Sequence, residues 1–246
     1  FFKQKTAYEI PKRDWSSDVC SSDLLNAWHG AAQILFDVSL HVGRGEVVAL
    51  LGRNGAGKSS TLKTIMGLMP RREGQLHFHG QDLTHMQAFE VARLGLGYVP
   101  EDRRIFTDLT VLENLTLAKQ NARYDHRQRV LSDWTVEKLF DLFPNLAQMQ
   151  HRQASHMSGG EQQMLSVART LMGNPLLVML DEPSEGIAPA IVSRMSDMVI
   201  TLKRQGVSVL LSEQNLDFAH AVCDRTYMIE KGELSELVKM MDGPRI

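Results

Sequence analysis

The 246-residue chain carries 27 Lys and Arg against 29 Asp and Glu, a formal net charge of −2, with 43% hydrophobic and 23% charged residues. That balance excludes a wholly disordered chain, lacks the basic excess of a nucleic-acid binder, and contains no apolar run of the roughly 18 residues needed to cross a bilayer. The two cysteines, Cys20 and Cys223, show neither metal spacing nor a disulfide framework, which points to a reducing cytoplasm.

Residues 1–24 differ from the rest. They lack a starting Met, hydrophobic periodicity and the apolar centre of a signal peptide, and their four Lys/Arg cancel four Asp/Glu. The segment resembles translated sequencing-adapter read-through; the alternative is a disordered tail. On the read-through reading the natural first strand is missing or replaced and Trp15 and Cys20 carry no function; a single domain runs from 25 to 246.

From Leu25 a globular pattern begins. Ile34 to Val42 alternates as a strand does, Gly43 to Gly45 turns the chain, and Glu46-Val47-Val48-Ala49-Leu50-Leu51 reads as a buried strand. Gly52-Arg53-Asn54-Gly55-Ala56-Gly57-Lys58-Ser59-Ser60 follows, then a helix-forming stretch from Thr61 to Met66 with Gly67 and Pro70 past its end. Strand, glycine-rich loop and helix with the spacing G-x-x-x-x-G-K-S is a phosphate-binding loop in its confirming context. Its glycines let successive N–H groups face an anion, Lys58 adds a point charge for the β- and γ-phosphates, and Ser59 offers a hydroxyl to Mg²⁺. The helix aims its positive end at the same phosphates.

Gln75 to His79 alternates and ends at Gly80, predicting an edge or hairpin strand. His77 and His79 share a face there, but without a third ligand a solvated strand face outweighs a metal site. Met86 to Arg93 predicts a short helix and Leu96 to Val99 a buried strand. Residues 103–157 predict a helical insertion without a strong strand. Leu176 to Leu180, Val207 to Leu211 and Thr226 to Ile229 predict three parallel strands, separated by helices that include Pro189 to about Arg204. The thirteen Met read as scattered gap fillers.

Two more motifs carry chemistry. The strand at Leu176–Leu180 delivers Asp181 and Glu182 at its C-terminal end, where ligands of open α/β sheets sit. Asp181 suits a Mg²⁺ shell, and Glu182 suits orienting or deprotonating an attacking water. Ser158-Gly159-Gly160-Glu161 opens another helix with a capping box. Two adjacent glycines in a first helical turn are costly unless something approaches the backbone closely, so this helix end is expected to grip nucleotide held by a different subunit.

In this order the phosphate loop, the Ser-Gly-Gly-Glu stretch and the Asp-Glu-Pro strand resemble the nucleotide-binding domain of ABC transporters, over roughly 25–240. The stretches Tyr98 to Phe106, Met157 to Met164, Asp181 to Pro189 and Ser212 to Asn215 are similar to ATPase subunits of branched-chain amino-acid uptake systems, whose relatives serve urea and short amides. The resemblance implies an α/β phosphate-loop NTPase core with a mainly parallel sheet, an antiparallel β subdomain near the N-terminus and an inserted helical subdomain at about 103–157.

It also implies roles. ATP lies between Gly52–Ser60 of one subunit and Ser158–Glu161 of another, with Glu182 as catalytic base, Asp181 and Ser59 on Mg²⁺, and Ser184–Gly186 crossing to the partner. Glu101 stands where most of the superfamily has Gln, and joins the metal side. Gln214 stands where most have the His that contacts the γ-phosphate; it donates a neutral hydrogen bond but carries no proton. His29, with Trp28 beside it, aligns with the aromatic that stacks on adenine. The implied partners are transmembrane permease subunits, a second ABC ATPase subunit and, indirectly, a solute-binding protein, with no nucleic acid. The implied place is the cytoplasm, peripheral on the inner face of the plasma membrane. The rival reading is a soluble ABC-type clamp on DNA or ribosomes. Against it, about 100 residues separate Lys58 from Ser158 without a long heptad run, and there is one phosphate loop.

Overall fold

A computed structural model of the protein describes residues 18–124 and 128–239. The chain opens as an antiparallel unit: β1 (Asp18–His29) lies between β2 (Ala32–Gly43) and β4 (Arg71–Phe78), and the two-residue β5 (Gln81–Asp82) closes the edge. The antiparallel sheet therefore begins at Asp18, not at Leu25. Residues 19–22 are buried because β1 is a central strand, paired through Cys20 with Val42 on one side and with Phe78 on the other. Residues 18–24 are thus part of the sheet and not a disordered tail; residues 1–17 lie outside the described residues. β4 is an inner strand rather than an edge, since β1 and β5 flank it, and it forms the expected hairpin with β5 through His79-Gly80.

The second sheet has the order β12-β11-β3-β10-β9-β6, built from β3 (Val47–Leu51), β6 (Leu96–Val99), β9 (Leu177–Asp181), β10 (Ser208–Glu213), β11 (Arg225–Glu230) and β12 (Glu233–Lys239). All neighbours are parallel except β11 and β12. The parallel strands read as unbroken apolar runs because both faces are covered. Side chains alternate along a strand, so Val47, Ala49 and Leu51 enter one core with Val178, Leu180, Val209 and Leu211. Val48 and Leu50 enter the other, with Leu177, Met179 and Leu210, beneath the antiparallel sheet. Each fully buried Leu or Val contributes about 1.5–3 kcal/mol relative to exposure. Met164, Met172, Met179, Met195 and Met198 are among these core side chains.

The first core packs against α6 (Gly159–Leu171) and α7 (Pro189–Arg204), the second against α1 (Lys58–Ile65). α7 starts on a Pro, whose fixed φ suits the first turn, and Gly206 at φ 82° turns the chain just past its end. The region 103–157 carries α3 (Val111–Leu117), α4 (Val136–Leu142) and α5 (Pro144–Gln148), together with a short hairpin, β7 (Arg123–Tyr124) and β8 (Val130–Ser132), that sequence periodicity does not reveal. Its two ends meet at the Thr110–Gln153 bridge, so it is a closed insertion.

Candidate nucleotide site

β3 delivers the phosphate loop at the C-terminal edge of the parallel sheet, and α1 carries it away. Gly52 sits where an added Cβ would lie 2.5 Å from the Ile229 carbonyl oxygen, and Gly57 holds φ 113°, so neither position tolerates a side chain. The Gly232 amide donates to the Ala56 carbonyl at 2.8 Å, fastening the loop to the β11–β12 turn. Lys58 is 3% exposed. Its Nζ donates to the Gly52 and Arg53 carbonyls at 2.8 and 3.1 Å and lies 3.0 Å from Glu182 Oε1. Lys58, Ser59, Ser60, Gly55, Gly57 and Glu182 line a cavity of about 320 Å³. A glycine-rich loop and a buried ammonium lining one cavity fit an anion receptor. Arg53 and Asn54, earlier in the loop, are exposed.

Asp181 ends β9 at 1% exposure and accepts three hydroxyl hydrogen bonds. Ser59 Oγ donates to Oδ1 at 2.8 Å, Ser212 Oγ to the same oxygen at 2.7 Å, and Tyr98 OH to Oδ2 at 2.8 Å. Burial, then the Asp181 charge, pushes the Tyr98 hydroxyl well above its usual range. Ser59 and Asp181 supply one hydroxyl and one carboxylate, the oxygen donors a Mg²⁺ ion takes from a phosphate-loop site alongside phosphate oxygens and water. Among the described residues no cluster of three or more His, Cys, Asp or Glu is placed to hold a metal alone. The donor set therefore fits an ion shared with a polyphosphate.

Glu182 adopts φ 47°, which costs a non-glycine residue about 1 kcal/mol. Its amide, held by the Ser212 carbonyl and Oγ at 3.1 Å each, fixes that turn and sends the carboxylate toward Lys58. Burial acts to raise its pKa, but the hydrogen bond with Glu185 and the Lys58 ammonium outweigh it and hold Glu182 below the usual carboxylate range. Glu185 takes the opposite course: its hydrogen bond with Glu182 and that neighbour's charge push it up to about 7.

The remaining expected site residues separate into two groups. His29 and Glu101 line a wider cleft of about 1000 Å³ that Ser60 and Asp181 also border. Trp28 stands apart, with the Arg71 guanidinium 4.2 Å over its ring, so His29 is the ring presented to the cleft. Gln214 is exposed at the end of β10, next to the β9 terminus. Ser158 and Glu161 close their capping box at the start of α6, Ser158 N to Glu161 Oε2 at 2.7 Å and Glu161 N to Ser158 Oγ at 3.4 Å, but none of the residues 158–161 lines the phosphate cavity.

The glycine pair has an internal cause as well as any external one. A Cβ on Gly160 would meet Ile191 Cγ1 at 2.9 Å, and one on Gly159 would meet Arg103 Nη1 at 3.0 Å. What approaches this backbone closely is the chain itself. Tyr98 and Ser212, the other two donors to Asp181, open stretches that carry the family resemblance, but nothing in the sequence pairs them with Asp181; the order β10-β9-β6 sets them on either side of β9.

A parallel sheet that brings a phosphate loop, a metal-fitting hydroxyl and carboxylate, and a second acid to one edge defines a phosphate-loop ATPase cassette. The ABC transporter family matches residues 35–185. The high-affinity branched-chain amino acid transport ATP-binding protein BraG of Pseudomonas aeruginosa is 40% identical over 214 residues, 87% of this chain and 90% of that protein. The lipopolysaccharide export system ATP-binding protein LptB of Haemophilus influenzae is 32% identical over 219 residues, 88% of each. A solved ATP-binding subunit of an ABC transporter is 28% identical, with a TM-score of 0.76 over 90% of both chains. The chain belongs to the ABC transporter ATP-binding family, and its activity is ATP hydrolysis. Among the described residues no helix is long and apolar enough to cross a membrane.

Proposed function

We propose that this chain powers an importer of branched-chain amino acids or related small solutes such as urea and short amides. In this reading it sits on the cytoplasmic face of the membrane, bound to transmembrane permease subunits and paired with a second ABC ATPase, itself or a homologue; a solute-binding protein acts upstream. The 40% identity to BraG supports the branch, while LptB at 32% keeps export as the competing direction. The observation that carries the catalytic reading is the buried constellation Ser59–Asp181 at 2.8 Å and Lys58–Glu182 at 3.0 Å.

Gly52–Ser60 holds the β- and γ-phosphates, and Ser158–Glu161 of a second subunit closes over them. Mg²⁺, held by Ser59 and Asp181 with Glu101 nearby, would neutralise charge on the phosphate oxygens. The γ-phosphate competes with Glu182 for the Lys58 ammonium, which releases Glu182 to act on water. Glu182 accepts the proton as the water oxygen bonds to the γ-phosphorus and the bond to the β–γ bridging oxygen breaks. The neutral Gln214 amide does not take up a proton, so base chemistry rests on Glu182 alone. His29 contributes the ring beside the adenine.

The test is to express Glu182→Gln together with the neighbouring genes in a bacterial host, add ATP and Mg²⁺, solubilise mildly and identify what co-purifies. Two multi-span permeases and a second ATPase are expected. Recovery of ribosomes, DNA or no membrane protein would overturn the importer reading in favour of a soluble clamp.

A further inference from the structure

A second buried acid lies beside the site and takes no part in the chemistry above. Glu213, the last residue of β10, is 2% exposed, and among the described residues no cation pairs with it. Its carboxylate is held by backbone amides from two loops. Oε1 accepts from Ser184 N at 3.0 Å, in the loop leaving β9 two residues after Glu182. Oε2 accepts from Gln214 N and Asn215 N, both at 3.1 Å, in the loop leaving β10. The Glu213 carbonyl also accepts from Gly52 N at 3.3 Å, at the start of the phosphate loop. Asn215 continues the chain of contacts: its Oδ1 accepts from Phe218 N at 3.1 Å and caps α8 (Leu216–Val222).

An unpaired buried carboxylate is costly, and burial does push Glu213 above the usual range despite these donors. The geometry explains why a carboxylate sits there nonetheless. Three amides from two separate loops need two acceptor oxygens on one rigid group. Glutamine, the same size, has one acceptor oxygen and would turn an NH₂ group toward an amide that also donates. Aspartate keeps both oxygens but is one methylene short.

We infer that Glu213 is a positioning residue for hydrolysis: it binds the Ser184–Gly186 loop and the Gln214–Asn215 loop to one carboxylate, so that the two segments flanking Glu182 move as a unit. Its kinetic consequence rests on Glu182 being the base; the coupling of the loops does not.

The experiment uses the full chain as wild type, Glu213→Gln and Glu213→Asp, with Glu182→Gln in parallel. Amide exchange is followed at Ser184, Gln214 and Asn215, and ATP turnover is measured over a range of ATP concentrations. In the wild type the three amides are expected to share one opening event, with protection factors within about threefold of one another. In both Glu213 variants at least one loop loses protection by about tenfold or more, and kcat falls by a similar factor while KM stays within about twofold. Independent protection of the two loops in the wild type would overturn the inference, as would variants with unchanged protection and kcat. A rise in KM alone would also overturn it, placing Glu213 in nucleotide binding through Gly52. If Glu213→Gln does not fold, Glu213→Asp and the wild-type exchange decide the matter. Retained turnover in Glu182→Gln would refute the base assignment and leave the exchange result standing.

Discussion

Ser212→Ala removes one oxygen from the centre of the site, and its cost follows from the geometry. Ser212 is fully buried, and its Oγ donates to Asp181 Oδ1 at 2.7 Å while accepting from Glu182 N at 3.1 Å. The second bond is shared with the Ser212 carbonyl, also 3.1 Å from Glu182 N, so its loss costs little. The first is a buried hydrogen bond to a carboxylate that keeps Ser59 and Tyr98 as donors. A bond of that kind is worth about 2 kcal/mol, and the space left by a single hydroxyl oxygen is too small for a water to replace it. For a chain of this size, that corresponds to a fall in Tm of about 4–8 °C. Denaturant unfolding at neutral pH, followed by tryptophan fluorescence, reads the change directly. Because Glu182 then loses part of what holds its left-handed turn, kcat should fall by about tenfold or more with KM for ATP little changed. A stability change below about 0.5 kcal/mol would refute the reasoning, since it would mean that Ser212 does not anchor the two acids.

Three further outcomes are expected. Lys58→Met leaves Glu182 buried without its cation, so it should lose about 3 kcal/mol along with ATP binding, and adding Glu182→Gln should recover most of that stability in a double-mutant cycle. Glu185 is raised to about 7 from an ordinary 4.5, so the folded chain binds that proton more tightly than the unfolded one. Its contribution is complete below about pH 4.5 and is lost as the pH rises through about 7; the denaturation midpoint should fall across that window, and Glu185→Gln should flatten the slope. Gly160→Ala drives a methyl to 2.9 Å from Ile191 Cγ1 and should cost about 1–3 kcal/mol, and Ile191→Ala, which removes Cγ1 and Cγ2, should relieve part of it in a double-mutant cycle; an unaffected Gly160→Ala would show that the glycine serves only an external ligand.

Local pattern made much of this protein legible in one dimension. The phosphate loop is contiguous: strand, glycines, Lys58, Ser59 and helix are adjacent in the chain, so chemistry and spacing identify it without a fold. The same holds for Asp181 and Glu182 at the end of an apolar strand, for the capping box at Ser158 and Glu161, and for α7, whose Pro189 start and Arg204 end follow from helix-end signals. The start of β1 escaped that reading because a central strand of mixed composition is defined by the partners on both sides of it, not by its own periodicity. Resemblance alone favoured His29 over Trp28; the physical reason, the Arg71 guanidinium over the Trp28 ring, comes from a residue far along the chain.

Which distant residues share an atom depends on the assembled fold. Asp181 is held by Ser59, Tyr98 and Ser212, from three separate elements. Glu213 joins two loops because β9 and β10 end side by side. Strand order and register are set by burial of whole faces, a property of the assembled sheet, so no single segment encodes which side chain will stand across from Asp181.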